Sequence, residues 1–176
     1  MTLGHEVLAR RGIGAIVMLV LVLAFAPVSN AQTGVQFDGT NDYVTFGQAL
    51  GAGGLGVTTF TLELWFYRTG TGVTTSTGTG GVTAIPLLTK GRGEADGSTK
   101  DMNFFLGIRG TDNVLCADYE EGTGQTSPGL NHPVYGVTAI RNNAWYHAAA
   151  TFDGTTWRLY LNGQLETELA VGASRL

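Results

Sequence analysis

The last third of the sequence carries the pattern that most restricts the fold. Apolar and polar side chains alternate over 145–152, 157–161 and 164–169, and short polar turns separate these runs. The second turn is Asn162-Gly163, a pair that favours the left-handed backbone of a type I′ hairpin turn. The pattern predicts a three-stranded antiparallel meander.

Further strands are predicted upstream of this meander. The longest covers 59–68, and shorter ones follow at 85–89, 103–109 and 114–119. No long segment after residue 31 repeats its apolar residues with the 3.6-residue period of a helix. The chain is therefore predicted to be all-β.

The remaining segments are predicted as turns and loops. Extended runs at 34–38 and 43–46 flank a turn. The Gly- and Thr-rich stretch 69–83 is predicted to be a flexible loop, because such compositions stay mobile. Polar loops are predicted at 91–102 and 120–136.

Alternation within the strands separates an apolar face from a face that carries both polar and aromatic side chains. One side of the long strand carries Phe60, Leu62, Leu64 and Phe66, which we predict to be core. Its other side carries Thr61, Glu63, Trp65 and Tyr67. In the meander, Trp157, Leu159 and Leu161 share a face opposite Arg158, Tyr160 and Asn162. This is typical of a two-sheet antiparallel sandwich in which one sheet also presents a concave outer surface.

Residues 1–31 have the order of a secretory signal peptide. Two arginines precede the uncharged apolar run 12–26, and small residues stand at the third and first positions before a cleavage point after Ala31. Cleavage would leave 32–176 as a secreted or cell-surface domain with no stable membrane span. The alternative is an uncleaved anchor, but the run is shorter than the roughly 20 residues that span a bilayer.

Composition excludes several classes of function. The single cysteine, Cys116, allows no internal disulfide and no zinc site made of cysteines alone. A formal net charge of -4 argues against a nucleic-acid partner, which needs a basic face. Cys116 lies in an apolar run, so we expect a buried, unreactive side chain.

Three segments carry a resemblance to a known family. They are VQFDGTNDYVTF at 35–46, FTLELWFY at 60–67 and WYHAAATFDGTTWRLYLNGQ at 145–164. In this order they resemble the laminin-G-like jelly-roll domains of the concanavalin A-like lectin/glucanase superfamily. The resemblance implies a two-sheet jelly-roll sandwich, non-catalytic in most members, in exported proteins that bind glycans or proteins. Family members continue past the L-Y-L-N-G hairpin with further strands, so we expect the domain at 32–176 to be incomplete.

Calcium is the cofactor that the sequence predicts. Asp38, Asn41 and Asp42 place two carboxylates and an amide in one turn, and such hard oxygen ligands suit Ca²⁺. The alternative is an Asx-type turn, in which the carboxylates accept hydrogen bonds from backbone amides. A weaker second candidate, with a solvated loop as its alternative, consists of Glu94, Asp96 and Asp101.

The mixed outer face supplies candidate ligand-binding residues, and these are Glu63, Trp65, Tyr67, Arg158 and Tyr160. Sugars stack their apolar faces on aromatic rings and bond their hydroxyls to planar polar groups, and this set offers both. The competing interpretation places tryptophans in the core. We expect this for Trp145 and Trp157, and it is also an alternative for Trp65. Further candidates are the loop residues Asn131 and His132, whereas His147 is expected to be structural.

No catalytic pattern in the sequence is complete. A retaining glucanase needs two carboxyl groups about 5–5.5 Å apart, which neighbouring positions on one face of a strand provide. The stretches 94–96, 118–120 and 166–168 each offer only part of the acidic motif of such enzymes. We therefore expect no enzymatic activity.

Together these features predict a non-catalytic exported binding or adhesion module. Its partner would be a glycan or an extracellular protein, and it would belong to a larger extracellular protein. Two alternatives stay open: an accessory or catalytic fragment of a carbohydrate-active enzyme, and a structural spacer domain.

Overall fold

The computed structural model describes residues 34–46, 57–91, 102–122 and 124–172. The predicted signal peptide and the second metal candidate at Glu94, Asp96 and Asp101 lie outside these residues. Among the described residues, no helix is long and apolar enough to cross a membrane.

The described chain folds into strands that form two antiparallel sheets. In chain order the strands are β1 Phe60–Tyr67, β2 Thr75–Ser76, β3 Thr83–Lys90, β4 Phe104–Arg109, β5 Val114–Tyr119, β6 Val134–Ala139, β7 Trp145–Phe152, β8 Thr156–Leu161 and β9 Gln164–Ala170. One sheet has the order β1-β7-β8-β9 and the other β2-β3-β4-β5-β6. The predicted all-β, two-sheet antiparallel sandwich is therefore confirmed.

The predicted C-terminal meander is present as β7, β8 and β9. Asn162 and Gly163 have φ values of 51° and 77°, the left-handed backbone that a tight hairpin turn requires. In the preceding turn, Asp153 Oδ1 accepts hydrogen bonds from the amides of Thr155 and Thr156, at 2.9 and 2.8 Å. Local turn chemistry thus fixes the register of both hairpins.

The main core lies between the two sheets. Leu62, Phe66 and Leu159 are buried there as predicted, and Trp157 is fully buried. The Trp157 ring meets the buried ring of Tyr119 edge-on, with centroids 5.6 Å apart. Large aromatic side chains bury the most area per residue, so these contacts stabilise the packing of one sheet on the other.

A second apolar cluster lies on the outer side of the five-stranded sheet. It contains Val82, Ala84, Met102, Phe105 and Cys116, and Tyr135 packs against it. Cys116 is fully buried, which confirms its predicted role as a small core side chain. Burial raises the pKa of its thiol to about 12, so the thiol is neutral.

The Gly- and Thr-rich stretch that was predicted to be a flexible loop covers this second cluster. Thr77 and Val82 are buried, and the Thr77 amide donates a 2.9 Å hydrogen bond to the Val82 carbonyl. The stretch also contains the short strand β2. The prediction is wrong here because a high Gly and Thr content indicates a flexible backbone, but it does not show that the segment packs on an apolar surface.

The extended runs at 34–38 and 43–46 form no strand, and their residues are exposed. The predicted loop 120–136 needs a correction, because strand β6 begins inside it at Val134. In β6, Val134 and Gly136 are buried, and the last three residues are exposed. This alternating pattern is too short to predict a strand.

Glu166 on β9 joins the edges of the two sheets. One of its carboxylate oxygens accepts hydrogen bonds from the amides of Val137 and Thr138 on β6, at 2.7 and 2.8 Å. The other accepts a 2.8 Å hydrogen bond from the Thr138 hydroxyl. Burial alone would raise the pKa of Glu166, but these hydrogen bonds outweigh it and hold the pKa below its ordinary value.

We expect Glu166→Gln to lower the free energy of unfolding by about 1–2 kcal/mol at neutral pH, because amides of β6 lose a charged acceptor. Since the folded-state pKa is lowered, this stabilisation is present above pH ~4.3 and is lost as the pH falls through the folded-state value. Urea denaturation at pH 7 and pH 3 measures both effects.

The matched control is Glu168→Gln, two residues further along the same strand. Glu168 lies in an exposed ion pair with Arg158, so its loss should change stability by less than about 0.5 kcal/mol. Equal losses in the two variants would contradict a special role of Glu166 between the sheets.

Candidate ligand-binding face

Four ring side chains lie together on the outer face of the four-stranded sheet. Strands β1 and β7 pair so that Trp65 stands opposite His147 and Tyr67 opposite Trp145. Directly opposite residues of an antiparallel pair project from the same side of the sheet. These four residues, Trp65, Tyr67, Trp145 and His147, form the aromatic face of the sheet.

The rings of the aromatic face contact each other in two cross-strand pairs. Their centroids are 5.4 Å apart for Tyr67 and Trp145, and 5.2 Å apart for Trp65 and His147. Nevertheless, Trp65 is 66% exposed, Trp145 47% and Tyr67 43%. Large aromatic side chains left in water as a contiguous patch mark an interaction surface more often than chance exposure does.

Trp145 was predicted to lie in the core, and this is wrong. The side chains of β7 that face the core are Tyr146, Ala148, Ala150 and Phe152. Alternation along the strand therefore sends Trp145 outward with His147. The parity of the WYHAAATF segment contains this signal, whereas the general preference of tryptophan for sandwich cores favours the opposite orientation.

Polar side chains extend the aromatic face along the sheet. Glu63, Ala149 and Tyr160 form the next row across β1, β7 and β8. The Glu63 side chain is 64% exposed, and its Oε2 lies 3.7 Å from His147 Nε2. A carboxylate and a phenol thus stand beside exposed rings, where they can bond the hydroxyl groups of a ligand.

Arg158 lies one row further away and is already held by two carboxylates. It donates hydrogen bonds to Asp153 at 2.6 Å and to Glu168 at 3.1 Å. The hydrogen bond from Arg158 is the main cause that lowers the pKa of Asp153, so that carboxylate stays ionised. The charge of Arg158 is therefore largely neutralised by its neighbours.

The structure brings all five predicted ligand-binding residues onto one face. Strand β1 supplies Glu63, Trp65 and Tyr67, and β8 supplies Arg158 and Tyr160. Sequence reasoning missed Trp145 and His147 as neighbours of this set, because only the β1–β7 register places them there.

The loop candidates lie elsewhere. Asn131 is buried and forms a bridge with Glu120 next to the five-stranded sheet. His132 Nε2 lies 2.9 Å from Glu121 Oε1, and the His132 ring stacks on Tyr119. Both side chains are engaged in fixing the loop that follows β5, and neither contributes to the aromatic face.

The predicted calcium turn has the hydrogen bonds of an Asx-type turn. Asp38 Oδ1 accepts bonds from the amides of Thr40 and Asn41, at 2.7 and 3.4 Å, and Asp42 Oδ2 accepts one from the Asp38 amide at 2.9 Å. Among the described residues, no group of three or more His, Cys, Asp or Glu side chains is placed to hold a metal. A calcium ion at Asp38, Asn41 and Asp42 would have to bind oxygens that already accept these hydrogen bonds. Calcium binding at this turn stays a prediction.

The partial acidic motifs that the structure describes are occupied by structural bonds. Glu166 accepts hydrogen bonds from β6, and its neighbour Glu168 pairs with Arg158. Asp118 is completely buried, out of reach of a polysaccharide.

The model of the Laminin_G_3 family, described as part of the concanavalin A-like lectin/glucanases superfamily, matches residues 38–175 of the chain. No curated protein matches the chain.

A calcium titration tests the predicted turn site. If Asp38, Asn41 and Asp42 hold Ca²⁺, a hundredfold excess over the dissociation constant should raise the free energy of unfolding by about 2.7 kcal/mol, because the ion binds only the native state. Asp42→Asn should abolish this shift. A melting temperature that is the same in Ca²⁺ and in EDTA would contradict the site.

Proposed function

We propose that this chain, which belongs to the laminin G-type family of the concanavalin A-like lectin/glucanase superfamily, is a non-catalytic exported module that binds glycans. The observation that carries the proposal is the exposed aromatic face, Trp65, Tyr67, Trp145 and His147, on one side of a rigid sheet. The proposed location is outside the cell or at its surface, in keeping with the order of residues 1–31 and with the family.

The chemistry of the face fits a sugar chain. Exposed indole and phenol rings offer flat apolar surfaces for the C–H faces of pyranose rings, and the rings can bond hydroxyls at their polar edges. Glu63 and Tyr160 add planar and hydroxyl partners in the adjacent row. Because the side chains stand on paired strands, the surface is preorganised and little conformational entropy is lost on binding.

The charges on this face favour neutral or amino sugars over sulfated or carboxylated ones. Glu63 presents an exposed carboxylate beside the rings. Arg158 is the one Arg or Lys on the face among the described residues, and Asp153 and Glu168 neutralise it. Arg141 is exposed, but it lies in the loop before β7 and not on the sheet. An acidic glycan would therefore meet like charge near the rings.

The carboxylate geometry supports a role in binding rather than hydrolysis. In the row beside the aromatic face, the cross-strand neighbours of Glu63 are Ala149 and Tyr160, so the described residues place no second carboxylate in that row. A lone carboxylate can position a sugar by accepting hydrogen bonds, but it cannot supply the acid and the nucleophile that glycoside hydrolysis needs.

A glycan array probed with the whole chain tests the proposal. We expect binding to neutral or amino oligosaccharides, and we expect Trp65→Ala to weaken it at least about tenfold, or ~1.4 kcal/mol, because a central aromatic anchor is lost. Val137→Ala, which shortens an exposed apolar side chain on β6 of the other sheet, is the matched control and should leave affinity unchanged.

Three results would count against the proposal. The first is the absence of any glycan binding by folded protein. The second is binding confined to sulfated glycans, which the charges disfavour. The third is glycan binding that Trp65→Ala leaves intact, because the ligand would then use another surface.

A further inference from the structure

Asp118 is a carboxyl group buried in an apolar environment on the side of the molecule that faces away from the main core. It lies on β5 directly opposite Phe105 on β4, and it has no exposed surface. Cys116 and Phe105 belong to the second apolar cluster beside it. Burial of a charged carboxylate is unfavourable unless partners compensate it, so the contacts of Asp118 decide its state.

The contacts of Asp118 lead to the turn that covers the sheet. The Thr77 hydroxyl donates a 2.6 Å hydrogen bond to Asp118 Oδ2, and it accepts one from the Val82 amide at 2.7 Å. A Cβ atom on Gly81 would overlap Thr77 Oγ1 and lie 2.6 Å from Asp118 Oδ2. Residues 77–82 are therefore seated tightly on the Asp118 carboxyl group.

Asn131 closes the same site from the loop that follows β5. Its Nδ2 donates a 3.2 Å hydrogen bond to the Thr79 carbonyl, which orients the amide. Its Cγ would lie 3.2 Å from a Cβ on Gly81, so it is near the Asp118 carboxyl group. Two segments far apart in the sequence thus meet at Asp118.

Two buried oxygens at this site have no hydrogen-bond donor among the described residues, and they are Asp118 Oδ1 and Asn131 Oδ1. With Asp118 ionised, both atoms can only accept hydrogen bonds, and each unpaired buried acceptor destabilises the fold. A proton on Asp118 removes the buried charge and turns one of these oxygens into a donor. A proton therefore supplies a donor where these two oxygens have none.

We propose that Asp118, Thr77 and Asn131 form a proton-dependent latch that holds residues 77–82 on the outer face of the five-stranded sheet. When Asp118 is protonated, the latch is closed. When Asp118 releases its proton to solvent, an uncompensated charge is left in an apolar site and the cover loosens over Val82 and Cys116. This inference does not depend on the proposed glycan binding.

The surrounding groups do not compensate the charge. Burial raises the pKa of Asp118 to about 7, and the Thr77 hydroxyl and the nearby backbone amides, which lower it, offset this only in part. Cys116 and Tyr135 face the site as neutral groups, since burial raises both of their pKa values. Arg109 lies over the Tyr135 ring and is paired with Asp112.

The other charged groups of this region belong to the loop that carries Asn131. Glu120 is buried on the chain after β5, and Glu121 pairs with His132. Neither Lys nor Arg contacts Asp118 in the described part of the chain. The acidity of Asp118 is thus set by burial and by the two segments that cover it.

The direction of the pH effect follows from linkage. The folded-state pKa lies above the ordinary value of 3.8, so the closed form retains a proton that the open form releases. The closing equilibrium should weaken about tenfold per pH unit between pH ~4 and pH ~7 and level off above that. The latch is therefore closed in acid and weakened at neutral and alkaline pH.

Amide hydrogen exchange of the whole chain between pH 5 and pH 8, corrected for intrinsic exchange rates, tests the latch. We expect protection of residues 77–82 to fall by up to about 100-fold from pH 5 to pH 7 and then to level off. The Asn162-Gly163 hairpin, which lies on the other sheet, is the internal reference and should not follow this profile. A pH-independent protection of 77–82 would overturn the proposal.

Asp118→Asn is the decisive variant, because the amide keeps the shape of the carboxyl group and can accept from Thr77, but it carries no charge at any pH of the experiment. It should abolish the pH dependence and raise the protection of 77–82 at pH 8 above that of the native sequence. Retention of the pH dependence in this variant would overturn the proposal. The native Asp118 carboxyl carbon, followed by NMR, gives a second test, and a titration midpoint near pH 4 would also overturn it.

Discussion

The alternation of side chains along paired strands is the constraint on which the rest of the structure depends. On β1, burial of Leu62 and Phe66 against the second sheet forces Trp65 and Tyr67 to point into water. A shift of one residue in the β1–β7 register would exchange these two sets and destroy both the core and the aromatic face. The candidate site is thus a direct consequence of how the core is filled.

The two outer faces of the sandwich differ because one is covered and the other is open. The five-stranded sheet carries the turn 77–82 and a second apolar cluster on its outer side. Among the described residues, the four-stranded sheet leaves its rings exposed, and Trp65 is the most exposed of them. The proposed ligand-binding face and the proposed latch at Asp118 therefore lie on opposite sides of the sandwich.

Much of the fold follows from local sequence. The Asn162-Gly163 turn and the alternating runs beside it predict the β7–β8–β9 meander, since both depend only on neighbouring residues. Strand β6 and the turn 77–82 could not be predicted in this way. Each is held by contacts distant in sequence, through Glu166 for β6 and through Asp118 for the turn.

The candidate site was predicted in part for the same reason. Parity along single strands placed Glu63, Trp65 and Tyr67 on one face, but no single strand shows which residues stand opposite them. Trp145 joined the site only through the register of β1 with β7. The latch at Asp118 depends on two segments that bury its side chain. The local sequence at 118–120 does not predict this burial, apart from the apolar residues next to Asp118.

In the proposed function, the outward aromatic side chains of the four-stranded sheet contact a sugar ligand. The most direct measurement is an NMR titration of the three indole N–H signals with a neutral chitin oligosaccharide, a cellulose oligosaccharide and an amino-sugar oligosaccharide. We expect at least one of these sugars to shift the Trp65 and Trp145 signals, whereas the buried Trp157 signal stays in place. Titrations in which none of the three sugars moves the Trp65 signal, or in which Trp157 alone responds, would contradict it.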